Sequence, residues 1–154
     1  YMHETLRDLI AANFGKAAFY TPEEQERYAG KNLNCCERIL RGANIVYGLG
    51  MTEEDMRVSA AFGGGMGVGG VCGAITGALM ALSRKYAAPV EKATPLKDEV
   101  TVPFLERVRA KMGSLDCIDL KPRYAVSNPP DCTRAVLAVA ETLDETMKKL
   151  EAGA

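Results

Sequence analysis

Apolar residues recur every three to four positions along most of this chain, which is the spacing of one face of an α-helix. No stretch alternates apolar and polar residues with the two-residue period of a half-buried strand. The sequence therefore predicts an all-α fold, a single-domain bundle of about six helices covering residues 1–154. The segments with helical spacing or helix-boundary signals are 3–18, 22–30, 34–47, 52–62, 72–86, 100–112 and 131–151.

Capping residues mark several of these boundaries. Thr21 precedes a proline and two glutamates, Asn34 precedes the third segment, and Thr52 is followed three residues later by an acid in capping-box spacing. The sequence Asn128-Pro129-Pro130-Asp131 predicts a stop followed by the start of the last helix. Glycines end the helices near residues 30, 48 and 113.

A glycine-rich crossover at residues 63–70 leads into a helix with a stripe of small residues, from Cys72 to about Tyr86. Small side chains allow another backbone to approach closely, so this segment is predicted to be the central helix. The same feature would also suit a homodimer interface. Residues 87–98, with two prolines and several charges, are predicted to form a surface connector.

Charge and length narrow the range of partners. The net charge is −1, with 19 basic and 20 acidic residues, which gives no electrostatic reason to expect binding to nucleic acid or to an anionic membrane surface. No apolar run reaches the roughly 20 residues of a spanning helix, and no signal-peptide pattern is visible. We therefore expect a cytoplasmic protein.

The chain has five cysteines and one histidine, His3. An odd number of cysteines without a signal peptide favours metal or redox chemistry over a disulfide scaffold. An internal metal site would have to be built mainly from sulfur, which argues against a His-ligated catalytic zinc and a Cys–His protease pair.

Four cysteines stand where helices are predicted to begin. Cys35 follows Asn34, Cys72 follows the glycine run, Cys117 lies three residues after a serine, and Cys132 follows an aspartate. Free N–H groups and the positive end of the helix dipole stabilise a thiolate. If the four helix starts converge, their sulfurs would form a thiolate cluster able to bind a metal or exchange electrons.

These residues, together with the glycine run and the helix order, resemble the C-GCAxxG-C-C family of redox-active proteins of bacteria and archaea. The resemblance covers roughly residues 20–150. The family name places Gly-Cys-Ala before two variable residues, whereas this chain has Cys72-Gly73-Ala74, so the sulfur is shifted by one position. The resemblance implies a redox role and suggests an iron–sulfur or other metal centre.

The leading interpretation is an iron–sulfur cluster held by Cys35, Cys72, Cys117 and Cys132, which would transfer electrons or sense redox state. Glycine amides would donate toward the cluster sulfurs. The glycines predicted to line the cofactor are Gly64, Gly65, Gly67, Gly70 and Gly73. The electron donor, a redox partner protein or a small molecule, is not identified by the sequence.

Two alternatives use the same cysteines. One is a thiol–disulfide oxidoreductase in which Cys35 or Cys72 attacks and a neighbouring thiol resolves. The other is a binding module with a structural zinc, or with no cofactor, although zinc ligands usually come in close Cys-x₂₋₄-Cys pairs that this chain lacks. The extra thiol of Cys36 fits a core residue better than a ligand.

Residues 65–70 also match the letters of a dinucleotide-binding fingerprint. That fingerprint functions after a strand and within a βαβ unit, whereas the preceding segment here is predicted to be helical. A tight crossover between two closely packed helices explains the glycines better.

Overall fold

The computed structural model describes residues 5–128 and 130–153, and this part of the chain is all-α, as predicted. It contains eight α-helices rather than about six: each of the seven segments predicted from the sequence contains one, and the short helix at residues 117–124 is an additional element. The helices are α1 Leu6–Ala11, α2 Pro22–Arg27, α3 Cys35–Tyr47, α4 Glu53–Met56, α5 Gly73–Tyr86, α6 Val102–Met112, α7 Cys117–Tyr124 and α8 Thr133–Ala152.

The predicted caps are present at three helix starts. Thr21, Asn34 and Thr52 each accept a hydrogen bond from the backbone N–H three residues on, and the acid at that position bonds back to the cap. Each arrangement is a complete capping box. At the other ends, Gly48 and Gly113 adopt the left-handed conformation that terminates α3 and α6.

The first predicted helix, residues 3–18, is shorter in the structure. Within the described residues, α1 ends at Ala11 and a separate helical turn follows at Ala17–Phe19. Asn13 and Gly15 lie between them with positive φ angles of 68° and 88°, which interrupt the helix although the apolar spacing continues. His3 lies outside the described residues.

Two other predicted segments differ in detail. The helix predicted over 52–62 is α-helical only as far as Met56 and continues as a tighter turn over Arg57–Phe62. The connector over 87–98 contains a helical turn at Glu91–Ala93 and joins helical winding at Lys97 that continues into α6. Pro129 lies outside the described residues, so its part in the predicted stop before α8 is not seen.

The core is one contiguous cluster in which α3 packs most extensively against α5. Gly77 explains the close approach, because a Cβ atom there would lie 2.8 Å from the carbonyl oxygen of Cys36. The small-residue stripe is therefore used inside this chain, between α3 and α5. The fully buried core side chains include Ile39, Leu40, Ile75, Leu82, Phe104, Val108, Val136, Val139 and Leu143.

None of the helices in the described part of the chain has the combination of length and apolar character needed to cross a bilayer.

Candidate thiol site

Four cysteines lie at the starts of four helices. Cys35 is the first residue of α3 and Cys117 the first of α7, while Cys72 and Cys132 are the N-cap residues of α5 and α8. Cys35 lies close enough to Cys72 and Cys132 for their charges to interact electrostatically. The same is true of Cys72 with Cys117 and Cys132. The fold thus brings the four predicted site cysteines to one end of the bundle.

Backbone hydrogen bonds join two of the cysteine-bearing segments. The N–H of Cys72 donates to the carbonyl of Leu115 at 2.8 Å, and the N–H of Cys117 donates to the carbonyl of Gly70 at 2.6 Å. These bonds flank an antiparallel bridge between Val71 and Asp116. The start of α7 is therefore fixed beside the start of α5 by the main chain.

The glycine loop before α5 is a tight turn in which Gly64, Gly65, Gly67 and Met66 all have positive φ angles. A Cβ atom on Gly65 would lie 2.5 Å from the backbone of Gly70 and 2.9 Å from the Cβ of Cys117. Glycine is thus required at residue 65 both for conformation and for space.

The five glycines predicted to face a cofactor have different surroundings. The N–H of Gly70 already donates to the carbonyl of Gly65 at 3.0 Å, so it is used within the loop. Cβ atoms on Gly64 and Gly67 would meet no neighbouring atom within 4 Å, and Gly64 lines a cavity beside Cys35. At Gly73 a Cβ would lie 2.8 Å from the carbonyl oxygen of Phe62.

The crowding at Gly73 concerns the position at which the family name places a cysteine, one residue after Cys72. A cysteine side chain there would also approach the backbone nitrogen of Cys36, at 3.3 Å from its Cβ. In this chain the sulfur sits instead on the N-cap residue, Cys72, which is 6% exposed and packs against the core. The next position is Gly73, which has no side chain and so leaves room for the start of α3.

Cys35 and Cys132 interact with each other more strongly than with the other site cysteines. A hydrogen bond from the Cys35 thiol stabilises the Cys132 thiolate and lowers the pKa of Cys132 to about 6, with smaller contributions from Lys121 and Lys16. The same hydrogen bond, together with burial, raises the pKa of Cys35. The pair therefore combines a thiolate with an adjacent protonated thiol.

The other two site cysteines do not show the lowered pKa that their helix starts predicted. Burial raises the pKa of Cys72, even though backbone hydrogen bonds from Ala74 and Ile75 favour its thiolate. Burial also raises the pKa of Cys117. Loss of solvation outweighs the helix N-terminus at both positions, so the pKa shifts of Cys72 and Cys117 run opposite to that of Cys132.

Cys36 lies apart from this chemistry. Its side chain is fully buried, and its sulfur accepts a hydrogen bond from the hydroxyl of Thr76 at 3.7 Å. Burial raises its pKa to about 11. These surroundings fit the core role predicted for it.

A cavity of about 390 Å³ opens beside the Cys35–Cys132 pair. Among its lining residues, Lys16 forms an ion pair with Asp131 at 2.8 Å. Arg38, also in the lining, is 3% exposed. Its Nε donates to the carbonyl of Phe14 and its Nη1 to the hydroxyl of Thr133, both at 2.9 Å.

The second terminal nitrogen of Arg38, Nη2, is buried and has no hydrogen-bond partner. An unsatisfied buried donor costs about 1–3 kcal/mol, and more when it is charged. Sequence analysis did not identify Arg38, because it lies on α3 between core positions and its importance depends on residues distant in the chain. The available signal was two arginines, Arg38 and Arg41, placed among the apolar positions of α3.

Among the residues described, no group of three or more histidine, cysteine, aspartate or glutamate side chains is arranged to hold a metal ion. An all-sulfur donor set suits an iron–sulfur cluster chemically, but the arrangement is one close pair with two further thiols nearby. The ligand set, the glycine contacts and the zinc alternative therefore stay predictions.

Comparison with known protein families identifies a match. The family model described as "putative redox-active protein (C_GCAxxG_C_C)" matches residues 33–146, a span that includes all four site cysteines. No curated protein and no solved structure gives a significant match. The chain therefore belongs to the C-GCAxxG-C-C family of redox-active proteins.

Proposed function

We propose that this protein is a thiol–disulfide redox protein in which Cys35 and Cys132 alternate between a dithiol and a disulfide. The observation that supports the proposal is that Cys35 and Cys132 line one cavity and interact through their side chains, which favours a thiolate at Cys132 and a protonated thiol at Cys35. A nucleophilic thiolate and a resolving thiol within reach are the two requirements of thiol–disulfide exchange.

The structure favours Cys132 as the attacking residue, in place of the Cys35 or Cys72 suggested by the sequence. Its sulfur carries the lowered pKa, and its side chain is less enclosed than that of Cys72, which is 6% exposed. A pKa near the ambient pH gives a high thiolate fraction without sacrificing much nucleophilicity. Cys35, with its raised pKa, is suited to the resolving role.

The reaction proceeds in two exchanges. The Cys132 thiolate attacks one sulfur of a substrate disulfide, the substrate S–S bond breaks, and the first substrate thiolate leaves. Cys35 gives its proton to that thiolate and attacks the Cys132 sulfur, which releases the second substrate thiolate. Two electrons pass from the protein to the substrate, and an external dithiol reduces the Cys35–Cys132 disulfide again.

Peptide mapping tests this proposal. Reduced protein, stripped of metal with a chelator, is treated with one equivalent of hydroxyethyl disulfide, and its free thiols are counted after denaturation. We expect two thiols to be lost and a peptide pair linking Cys35 to Cys132. The Cys36→Ala variant should form the same link, whereas Cys132→Ser should not.

Retention of all five thiols, or a link joining other cysteines, would overturn the proposal.

A second candidate is an iron–sulfur protein, favoured by the convergence of four thiols from four helix starts. Cys35, Cys72, Cys117 and Cys132 would hold the cluster, which would supply electron transfer. The protein's own contribution would be to hold the four segments in place, two of them through the bridge at Val71 and Asp116. Iron and sulfide analysis of protein purified without oxygen tests this candidate.

The iron and sulfide content, together with the effect of Cys117→Ser, separates the two candidates. A cluster protein should contain stoichiometric iron and sulfide, and its visible absorption should disappear in Cys117→Ser. The dithiol proposal requires no iron, and exchange at Cys35 and Cys132 should continue in Cys117→Ser. Protein that lacks iron and sulfide when purified without oxygen would exclude the cluster as the resident centre.

A further inference from the structure

The cavity beside the Cys35–Cys132 pair is lined by a buried cation, Arg38. Arg38 is 3% exposed and within the described residues makes no ion pair at salt-bridge distance. Its Nη2 is buried and unpartnered, whereas Nε and Nη1 each donate to an oxygen. One donor group of the guanidinium therefore has no hydrogen-bond partner within the described part of the chain.

The carboxylate already present in the cavity does not use that donor. Asp131 pairs with Lys16 at 2.8 Å and accepts hydrogen bonds from the backbone N–H and the hydroxyl of Thr133, at 2.7 and 2.6 Å. These contacts stabilise its negative charge. Among the described residues no carboxylate forms a direct ion pair with Arg38, although Asp131 favours its charged form at longer range.

The starts of α3 and α8 border the same cavity, because Cys35 and Cys132 are in its lining. These helices have 13 and 20 residues, and their N-termini add positive potential. Lys16 contributes further N–H donors, of which Asp131 uses one. The cavity thus offers several donors to an anion placed next to the reactive sulfurs.

We propose that this cavity binds the carboxylate of a small anionic disulfide, with Arg38 and Lys16 as its partners, and thereby selects the substrate of Cys132. The inference rests on the proposed function for its chemistry and adds the substrate class. A volume of about 390 Å³ lies at the small end of the range for small-molecule sites, so the substrate is a small molecule rather than a folded protein.

The change of charge during the reaction favours a substrate carboxylate beside Arg38. Lys16, Arg38 and Asp131 together contribute one net positive charge to the cavity lining. The attack converts the Cys132 thiolate into a neutral mixed disulfide, so negative charge leaves the sulfur as the S–S bond breaks. A substrate carboxylate held at Arg38 then balances the positive charge.

A matched pair of probes tests the inference. Dithiodipropionate carries a carboxylate at each end, whereas hydroxyethyl disulfide has a similar disulfide core and no charge. We measure the rate of thiol release from each probe and divide the anionic rate by the neutral one. The same ratio for free dithiothreitol corrects for the intrinsic reactivity of the probes.

For the wild-type protein we expect a corrected ratio of about ten or more. A factor of ten corresponds to about 1.4 kcal/mol. Arg38→Met should bring it close to one, Arg38→Lys should retain part of it, and Lys92→Met, on the exposed connector, should leave it unchanged. Because the ratio compares two probes on the same protein, partial loss of folded protein does not affect it.

Binding without reaction separates this inference from the proposed function. Calorimetry of dithiodipropionate is carried out on the Cys35→Ser/Cys132→Ser variant, with and without Arg38→Met, and Lys16→Met serves as a second variant if Arg38→Met does not fold. Binding that depends on these cations supports the anion site even if neither probe reacts with the wild-type protein, an outcome that would reject only the thiol chemistry.

A corrected ratio near one in the wild-type protein, together with no calorimetric binding, overturns the anion site while leaving the dithiol proposal intact.

Discussion

Cys35, the first residue of α3, and Cys132, the N-cap of α8, line one cavity, and their side chains interact so that the pKa of Cys132 is lowered while that of Cys35 is raised. This interaction distinguishes one pair among the four cysteines. It gives the site an asymmetry that the cysteine spacing does not reveal, with one acidic thiol and one that holds its proton.

The rate of Cys132 alkylation should depend on pH with a midpoint near 6, because the hydrogen bond from Cys35 lowers its pKa to about that value. The thiolate is the reactive form. The rate should therefore be near its maximum at pH 7 and fall as pH drops through 6, whereas a free thiol has its midpoint near about 8.5. Iodoacetamide labelling followed by mass spectrometry measures it.

The Cys132→Ser variant is the control and should lack the phase with the low midpoint. A single midpoint above pH 8 in the wild-type protein would contradict the prediction.

Cys35→Ala should move the midpoint of Cys132 alkylation upward, toward the ~8.5 of a free thiol, because the donor that stabilises the thiolate is removed. The same labelling experiment measures the shift. Cys36→Ala is the matched control, since its sulfur contacts Thr76 rather than the pair. An unchanged midpoint would mean that Lys16 and Lys121 alone set the acidity of Cys132.

Gly77→Ala should destabilise the fold. A Cβ at this position would lie 2.8 Å from the Cys36 carbonyl oxygen and 3.2 Å from the Cβ of Ile39. Overpacking of this kind costs about 1–3 kcal/mol, which exceeds the gain of up to about 1 kcal/mol from replacing glycine in a helix. Urea unfolding measures the difference in free energy.

Gly153→Ala provides the comparison, because its nearest neighbouring atom would be 3.5 Å from the new Cβ. That variant should stay within about 0.5 kcal/mol of the wild type. Equal stability of the Gly77 and Gly153 variants would show that α3 and α5 can separate without cost.

Asn34→Ala should lower the free energy of unfolding by about 1–2 kcal/mol. The Asn34 side chain accepts from the Glu37 N–H at 2.9 Å and donates to the Ala60 carbonyl at 3.0 Å, so it both caps α3 and holds the turn at Arg57–Phe62. The cap directly precedes Cys35, so its loss should weaken the interaction by which Cys35 lowers the pKa of Cys132. Alkylation of Cys132 should therefore also slow at pH 6.

Thr21→Ala removes an equivalent cap from α2. It should cost stability without changing the alkylation rate, which separates loss of a cap in general from loss of the cap beside the thiols. A change in alkylation of similar size in both variants would contradict the expected local effect.

Helix boundaries could be predicted where a few adjacent residues determine them. The capping boxes at Thr21, Asn34 and Thr52 need only side chains three residues apart, and all three are present. The extent of the first helix was wrong for the opposite reason. Its apolar spacing continues past residue 12, but the positive φ of Asn13 redirects the chain.

The site was only partly predictable from the sequence. The helix-start positions of the four cysteines follow from local signals, but their acidities depend on burial, which is set by residues far away in the chain. For that reason the sequence could not distinguish Cys132 from Cys72. Arg38 was missed because its environment comes from Phe14 and Thr133, on segments distant in sequence.

The bridge at Val71 and Asp116 also affects which substitutions the site can tolerate. Since main-chain atoms make the two hydrogen bonds beside it, the identities of Val71 and Leu115 matter less than their backbone positions. Related chains can therefore change these side chains while keeping the spacing between the sulfurs, whereas inserting a single residue in either segment would shift a cysteine out of register.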